Sequence, residues 1–379
     1  MSRIEGPRGT REEEFKKVMK LIDSVFRGEG FPSPSKQELY SILLNRDNLE
    51  NMRIILVDGE PVAHLGIHEG ELVIYGHRMK VGSIGSVCTH PDHRGRGYAT
   101  ALLRDAIRKL NEDGVDVMLV SGDRGLYRRA GCAPASKMYA FSIGKAELEQ
   151  FRDPGIELVP YREEHIKRMI EIYEREPVRF HRKLEEFRRM LISGSDRNVG
   201  AETFVVLQRG ELLGYLSVQP PVEPGVSYLV EYAGSRWAAV GAMGYIFDIY
   251  GIDELRLVVP FHDREMIHLL RIRGLEGVPV EMPGYTVKVI NFVGLMERLR
   301  PYMEERLGRI ARLLGFRCEG ERYLIRLGRE ELAVEGDADL VRLIFGSAEG
   351  SGMIPETGEL KVLADLFPIP LVYPGLNYV

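Results

Sequence analysis

The chain has 379 residues, more than one ordinary hydrophobic core accommodates, so two or three domains are expected. Its net charge of −5, with acids and bases interspersed, gives no basic field of the kind nucleic acid requires. The first residues carry no apolar signal core and no stretch approaches the roughly eighteen apolar residues of a membrane span, which reads as a cytoplasmic protein without membrane partners.

The first segment, residues 1–150, opens with helical spacing over residues 11–26. Apolar runs follow at 53–57, 61–67, 72–75 and 81–89, separated by Asp58-Gly59, Glu69-Gly70 and Gly76-His77, which are hairpin signals. The last run ends at Thr89 and feeds a loop holding Arg94, Gly95, Arg96 and Gly97. Beyond it Ala99, Leu102, Leu103, Ala106, Ile107 and Leu110 recur at three and four residues, predicting an amphipathic helix. Gly95 and Gly97 lack a Cβ, so consecutive N–H groups can close on phosphate oxygens while the first helical turn offers unpaired amides and the positive dipole end. That describes a pyrophosphate cradle. A dinucleotide fingerprint aligned on these glycines would put its third small residue on Thr100, and no Gly-Lys-Ser/Thr loop occurs.

His90 and His93 flank Pro91 and Asp92 in the loop, but no third ligand accompanies them, and we read no metal site. Cys88, Cys132 and Cys318 are odd in number and far apart, without CxxC, so neither a disulfide framework nor a zinc site is supported. A strand at 115–120 then leads to GDRGLYRRAGC, a short helix carrying Tyr127, and residues 138–143 read as the strand that closes the segment.

The second segment, 151–289, repeats this order: a helix at 163–175, strands at 204–208, 212–218 and 226–232, a helix at 236–249, a strand at 254–259 and a helix at 263–271. Its counterpart of the cradle, AGSRWAAVGAM, puts Ala239 three residues after Arg236, and Leu270 stands where Tyr127 precedes Gly131. This half is expected to have lost coenzyme binding and to serve a structural or substrate-shaping role. The third segment, 290–379, begins with amphipathic spacing over 291–314 and continues with strands in YLIRLG and ELAVEG and short helices in DADLVRLIFG and ELKVLADLF. It ends in FPIPLVYPGLNYV, apolar to the last residue, where a free terminus is usually polar and frayed. We expect the tail to be inserted into protein.

Arg94, Gly97 and Ala99 match the Arg/Gln-x-x-Gly-x-Gly/Ala signature of the GNAT superfamily of N-acetyltransferases, and GLYRRAG resembles that superfamily's second recurring piece. The three segments together resemble the Eis (enhanced intracellular survival) family. The resemblance implies an α+β chain of two tandem GNAT-fold domains, the first catalytic and the second degenerate, followed by a sterol-carrier-protein-like C-terminal domain whose tail enters the active site. It implies acetyl-CoA as co-substrate, direct transfer to a primary amine of an aminoglycoside, polyamine or lysine-like acceptor, and a homo-oligomer, commonly a hexamer.

By the same resemblance Val87, Cys88 and Thr89 pair with the pantetheine arm, and Arg94, Gly95, Arg96, Gly97, Tyr98, Ala99 and Thr100 hold the phosphates. Tyr127 matches the family's general acid, and the carboxylate of the last residue, Val379, its general base. The strand VGSIGSVCT carries no carboxylate that could serve as base; His90 and a water remain alternatives. Cys88 as an acetyl carrier is disfavoured, since a lone cysteine on an apolar strand is usually inert. Glu223, Glu231 and Asp248 are candidates for the acids that a polybasic acceptor would need. The competing class of function is a non-catalytic acyl-CoA or lipid-binding sensor.

Overall fold

The run Met52–Val57, MRIILV, is buried at every position, which requires cover on both faces of the sheet it enters. The computed structural model describes residues 3–27, 35–193, 195–196, 199–347 and 352–379, which group into two units. Unit 1 takes residues 1–136, 282–369 and Val379, and unit 2 takes 137–281 and 370–378.

Strand β1 (Ile4–Gly9) opens unit 1, and the helix expected at 11–26 is α1 (Phe15–Arg27) behind a short 3-10 turn. After α2 (Lys36–Leu39), strands β2 (Met52–Val57), β3 (Glu60–Ile74) and β4 (His77–Thr89) form an antiparallel meander. Asp58-Gly59 and Tyr75-Gly76 make its two turns with positive φ at both residues, the backbone twist that two-residue hairpins favour. Glu69-Gly70, expected to be a third turn, lies inside β3, where Glu69 pairs with Gly82 and Gly70 with Val81. Helix α3 (Tyr98–Glu112) crosses to β5 (Val117–Ser121), which runs parallel to β4, and α4 (Gly125–Arg128) follows. Leu102, Leu103, Ala106 and Leu110 of α3 pack on Ile55, Leu65, Ile84 and Val120. The approach is close enough that a Cβ on Gly82 would come 2.4 Å from Leu110.

Unit 2 contains β6 (Lys137–Gly144), β7 (Glu157–Pro160), α5 (Glu163–Tyr173), β8 (Val178–Phe180), α6 (Leu184–Ser193), β9 (Ser195–Asp196), β10 (Val199–Gly200), β11 (Glu202–Gln208) and β12 (Glu211–Glu223). It continues through β13 (Val226–Gly234), α7 (Arg236–Tyr250), β14 (Glu254–Pro260), α8 (Arg264–Arg271) and β15 (Val278–Glu281). Its main sheet has the order β15-β6-β14-β13-β12-β11-β7, with β13 and β14 parallel. Helix α7 is buried through Ala238–Gly244, as its nearly uncharged sequence requires.

The chain then returns to unit 1 with β16 (Tyr285–Val289), α9 (Phe292–Arg298), α10 (Arg300–Leu307), β17 (Gly315–Glu319), β18 (Arg322–Leu327), β19 (Glu330–Glu335) and α11 (Asp337–Phe345). The unit 1 sheet reads β1-β2-β3-β4-β5-β16 along its path. Strand 138–143, expected to close the first segment, is instead part of β6 and pairs with β14, while β16 fills the edge of β5. Alternation identifies a strand but does not say which of two similar edges it joins. The amphipathic stretch from 291 breaks at Leu299, because Pro301 in the first turn of α10 has no N–H to extend the preceding helix. Strands β17, β18 and β19 form a separate antiparallel sheet, and ELKVLAD is a 3-10 helix. Helix α11 abuts Gly131, where a Cβ would stand 2.0 Å from the Asp337 carboxylate. That carboxylate is paired with Lys288 and the Tyr323 hydroxyl.

Candidate active site

Strands β4 and β5 pair in register from Val81↔Val117 to Ile84↔Val120 and no further, although β4 runs on to Thr89. The divergence begins at a bulge. The β3 register shifts between His64↔Cys88 and Gly66↔Gly85, and Ser86 takes a φ of 50°. His64, fully buried, lies 2.9 Å through Nδ1 from the Ser86 carbonyl. A carbonyl only accepts, so Nδ1 carries the proton and the ring is the neutral Nδ1–H tautomer. Burial agrees with this: it pushes the imidazole down to about 4, against the opposing effect of the Ser86 hydrogen bond. The Nε2 atom is buried with no partner among the described residues. Sequence reasoning missed His64, although a lone histidine within the apolar run PVAHLGI was its available signal.

Beyond Thr89 the loop carries Arg94, Gly95, Arg96 and Gly97 at the surface, with φ of 76° at Gly95 and 81° at Gly97. A Cβ at either glycine would meet nothing within 4 Å, so the space above them is open and the positive φ is what selects glycine. Arg94 Nε donates to the Thr89 carbonyl at 3.3 Å and Arg96 Nη2 to the Asp92 carbonyl at 3.2 Å. Gly97 caps α3 without any side-chain hydrogen bond, leaving the amides of Tyr98, Ala99 and Thr100 to whatever anion approaches. The loop geometry therefore fits a pyrophosphate.

Val87 is half-buried on the α3 side of β4, and Cys88 is buried. Burial pushes the Cys88 thiol up to about 12, which suits inert packing rather than acyl transfer through sulfur. Tyr127 sits in α4 at 4 % exposure, and a Cβ on Gly122 would come 3.1 Å from its ring. Its hydroxyl has no hydrogen-bond partner among the described residues, and burial raises its pKa. A phenol in that state stays protonated and able to donate at neutral pH.

The terminal residue reaches the same place. A Cβ on Gly85 would stand 2.2 Å from the Val379 main-chain carbonyl carbon and 2.5 Å from its oxygen, so only glycine admits Val379 there. Val379 itself is 2 % exposed. Gly85 follows Ile84, the last β4 residue paired with β5, and Gly122 follows Val120 by two. Val379 and Tyr127 thus stand against the two strands where they part. His90, the alternative base, lies in the loop, its Nδ1 3.4 Å from the Asp92 amide.

Residues 7–135 match the family model described as "Acetyltransferase (GNAT) domain". Acetyl-CoA is the co-substrate of such domains. A 77-residue stretch is 36 % identical to a mycothiol acetyltransferase of Nocardiopsis dassonvillei, covering 20 % of this chain and 23 % of that enzyme, so the chain spans under a quarter of its curated relative. Over almost the whole length the fold is that of two solved proteins. A probable N-acyltransferase from Enterococcus faecalis superposes with a TM-score of 0.65 at 15 % identity, covering 98 % of this chain and 97 % of the other. Eis1 from Mycobacterium abscessus gives 0.56 at 16 % identity over 89 % and 86 %. The matched residues, 7–135, include every residue expected at the coenzyme, together with Tyr127.

The tail leading to Val379 is held within unit 2. Arg182, 2 % exposed, donates through Nη1 and Nη2 to Glu231 at 2.7 Å each and through Nε to the Asn377 side chain at 2.7 Å. Glu231 also accepts from Tyr215 Oη at 2.6 Å and from the Leu376 amide at 3.0 Å. Burial opposes its charge, yet Arg182 outweighs burial and holds the carboxyl below its ordinary range. Glu231, read from sequence as an acid for a polybasic acceptor, is committed to this clamp, Asp248 pairs with Arg152, and Glu223 is exposed.

Proposed function

We propose that the chain is an acetyl-CoA-dependent N-acetyltransferase of the Eis type, transferring acetyl directly to a primary amine of an aminoglycoside, polyamine or lysine-like acceptor. The observation that carries this reading is the main-chain carbon and oxygen of Val379 packed on Gly85 at the point where β4 and β5 separate. An amine with a pKa of about 10 is mostly protonated at neutral pH, so a base must accept its proton before attack. In this reading Val379 takes that proton, directly or through a water. The neutral nitrogen bonds to the thioester carbonyl carbon while a backbone amide of β4 beyond the bulge holds the oxygen. The C–S bond then breaks as Tyr127 protonates the departing thiolate, and the extra proton on the newly bonded nitrogen passes through water to the tyrosinate, which leaves a neutral amide and restores the phenol. Val87 to Thr89 pair with the pantetheine arm, and residues Arg94 to Thr100 hold the pyrophosphate.

Unit 2 is then a diverged second GNAT fold, supported by its repeated order of strands around a parallel pair. Strands β17 to β19 with helices α9 to α11 correspond to the sterol-carrier-like part. The same reading carries a cytoplasmic homo-oligomer, with the hexamer as the form to look for. The experiment is thiol release from acetyl-CoA with polyamines, aminoglycosides and lysine peptides. Replacing Tyr127→Phe should lower kcat by roughly 10²-fold or more without weakening coenzyme A binding. Coenzyme binding with no turnover on any amine would instead make the protein a sensor.

A further inference from the structure

Ser86 takes a φ of 50°, a conformation that strains a residue other than glycine and persists only where the surroundings hold it. The hold comes from the neighbouring strand. His64 of β3 stands opposite Cys88, and its Nδ1–H donates to the Ser86 carbonyl at 2.9 Å. Packing alone does not account for a histidine there. The ring is wholly buried and its Nε2 has no partner among the described residues, whereas a leucine would fill similar space without an orphaned acceptor.

The carbonyl that His64 holds shares its peptide group with the N–H of Val87. That peptide is trans, so a carbonyl drawn toward β3 sends the Val87 N–H the opposite way. The ladder agrees. The His90 amide donates to the Val62 carbonyl at 2.8 Å, and groups facing the partner strand alternate, so Cys88 turns its main chain to β3 and Val87 turns its own to the other edge. That edge is open, because the parallel pairing with β5 has ended at Ile84↔Val120. The Val87 N–H therefore points into the gap between the parting strands.

We infer, resting on the acetyl transfer proposed above, that His64 is a positioning residue for that reaction: by holding the Ser86 carbonyl it aims the Val87 N–H at the thioester oxygen. When the amine nitrogen bonds to the thioester carbon, the C=O electron pair moves onto oxygen, and the Val87 N–H meets the charge that develops there. The pair returns as the C–S bond breaks. His64 itself touches neither coenzyme nor acceptor. Without it the peptide is free to turn and the donor is lost, while the glycine loop that holds the phosphates is untouched.

The test compares His64→Leu, which deletes the donor, with His64→Asn, whose side-chain amide places an N–H where Nδ1–H stood. Acetyl-CoA isotope-labelled at the thioester carbonyl is bound to the full chain without any amine, and its infrared carbonyl band is recorded. The band should move to lower frequency in the unaltered chain and in His64→Asn, and should stay at its free position in His64→Leu. On the best acceptor of the amine panel, His64→Leu should lower kcat roughly 10²-fold while KM for acetyl-CoA stays within about threefold, and His64→Asn should restore most of the rate. A band that moves equally in all these chains, or a His64→Asn that behaves as His64→Leu does, overturns the inference. Should His64→Leu not fold, the unaltered chain isotope-labelled at valine nitrogen decides. Acetyl-CoA, compared with coenzyme A, should shift the Val87 amide proton downfield, and an unmoved resonance overturns the inference. Failure of this inference alone leaves the unaltered chain active, whereas an unaltered chain inactive on every amine overturns both it and the transfer.

Discussion

The two parallel strand pairs of this chain end alike and are finished differently. In unit 1 the pairing stops at Ile84↔Val120, and the following helix starts at Gly97 with no side-chain cap and open space above it. In unit 2 it stops at Leu229↔Leu257, and the following helix starts at Ser235, which caps it, beside an arginine held by two carboxylates. Unit 2 keeps the strand-loop-helix frame, but a capping serine and a paired arginine stand where unit 1 has its open glycine loop. The difference between a cradle and a stopper lies in about four side chains.

The largest expected effect comes from breaking the stopper. Arg236→Met leaves Glu176 and Asp263 facing each other without their cation, and removing one partner of such a nearly buried network costs about 3–5 kcal/mol. Urea unfolding should show that loss; a change under about 1 kcal/mol would mean the triad is solvated and the terminus of α7 is not sealed.

A smaller effect sharpens the unit 1 side. His64 is neutral in the folded chain with a pKa near 4, and unfolding returns it to about 6.5. Between those values the unfolded chain binds the extra proton, so the contribution of His64 to stability is complete above pH 6.5 and is lost as pH falls toward 4, about 3 kcal/mol in all. His64→Gln should flatten the stability-against-pH curve in that window. An unaltered slope would show that His64 is not the buried anchor of the Ser86 bulge.

Much of this was legible in the residues. The meander, the crossover helix and the glycine loop followed from period, turn pairs and the absence of a Cβ at Gly95 and Gly97. So did the burial of the apolar tail. What could not be read was partnership over long separations. Strand β6 joined β14 rather than β5 because both edges accept the same alternation. The pairing of Glu231 with Arg182 and the burial of His64 against Ser86 likewise depend on strand register, which no single segment encodes. Glu69-Gly70 failed as a turn because a two-residue signal is overridden when both neighbours continue to pair.

We propose that the carboxylate of Val379 supplies the base in the open cleft. The direct measurement is acetyl transfer by the intact chain and by one lacking Val379, with coenzyme A affinity measured on both. Turnover that falls by roughly 10²-fold or more while the affinity holds is the predicted result. Turnover that persists in the shortened chain would contradict the account and move the base to His90 or a water.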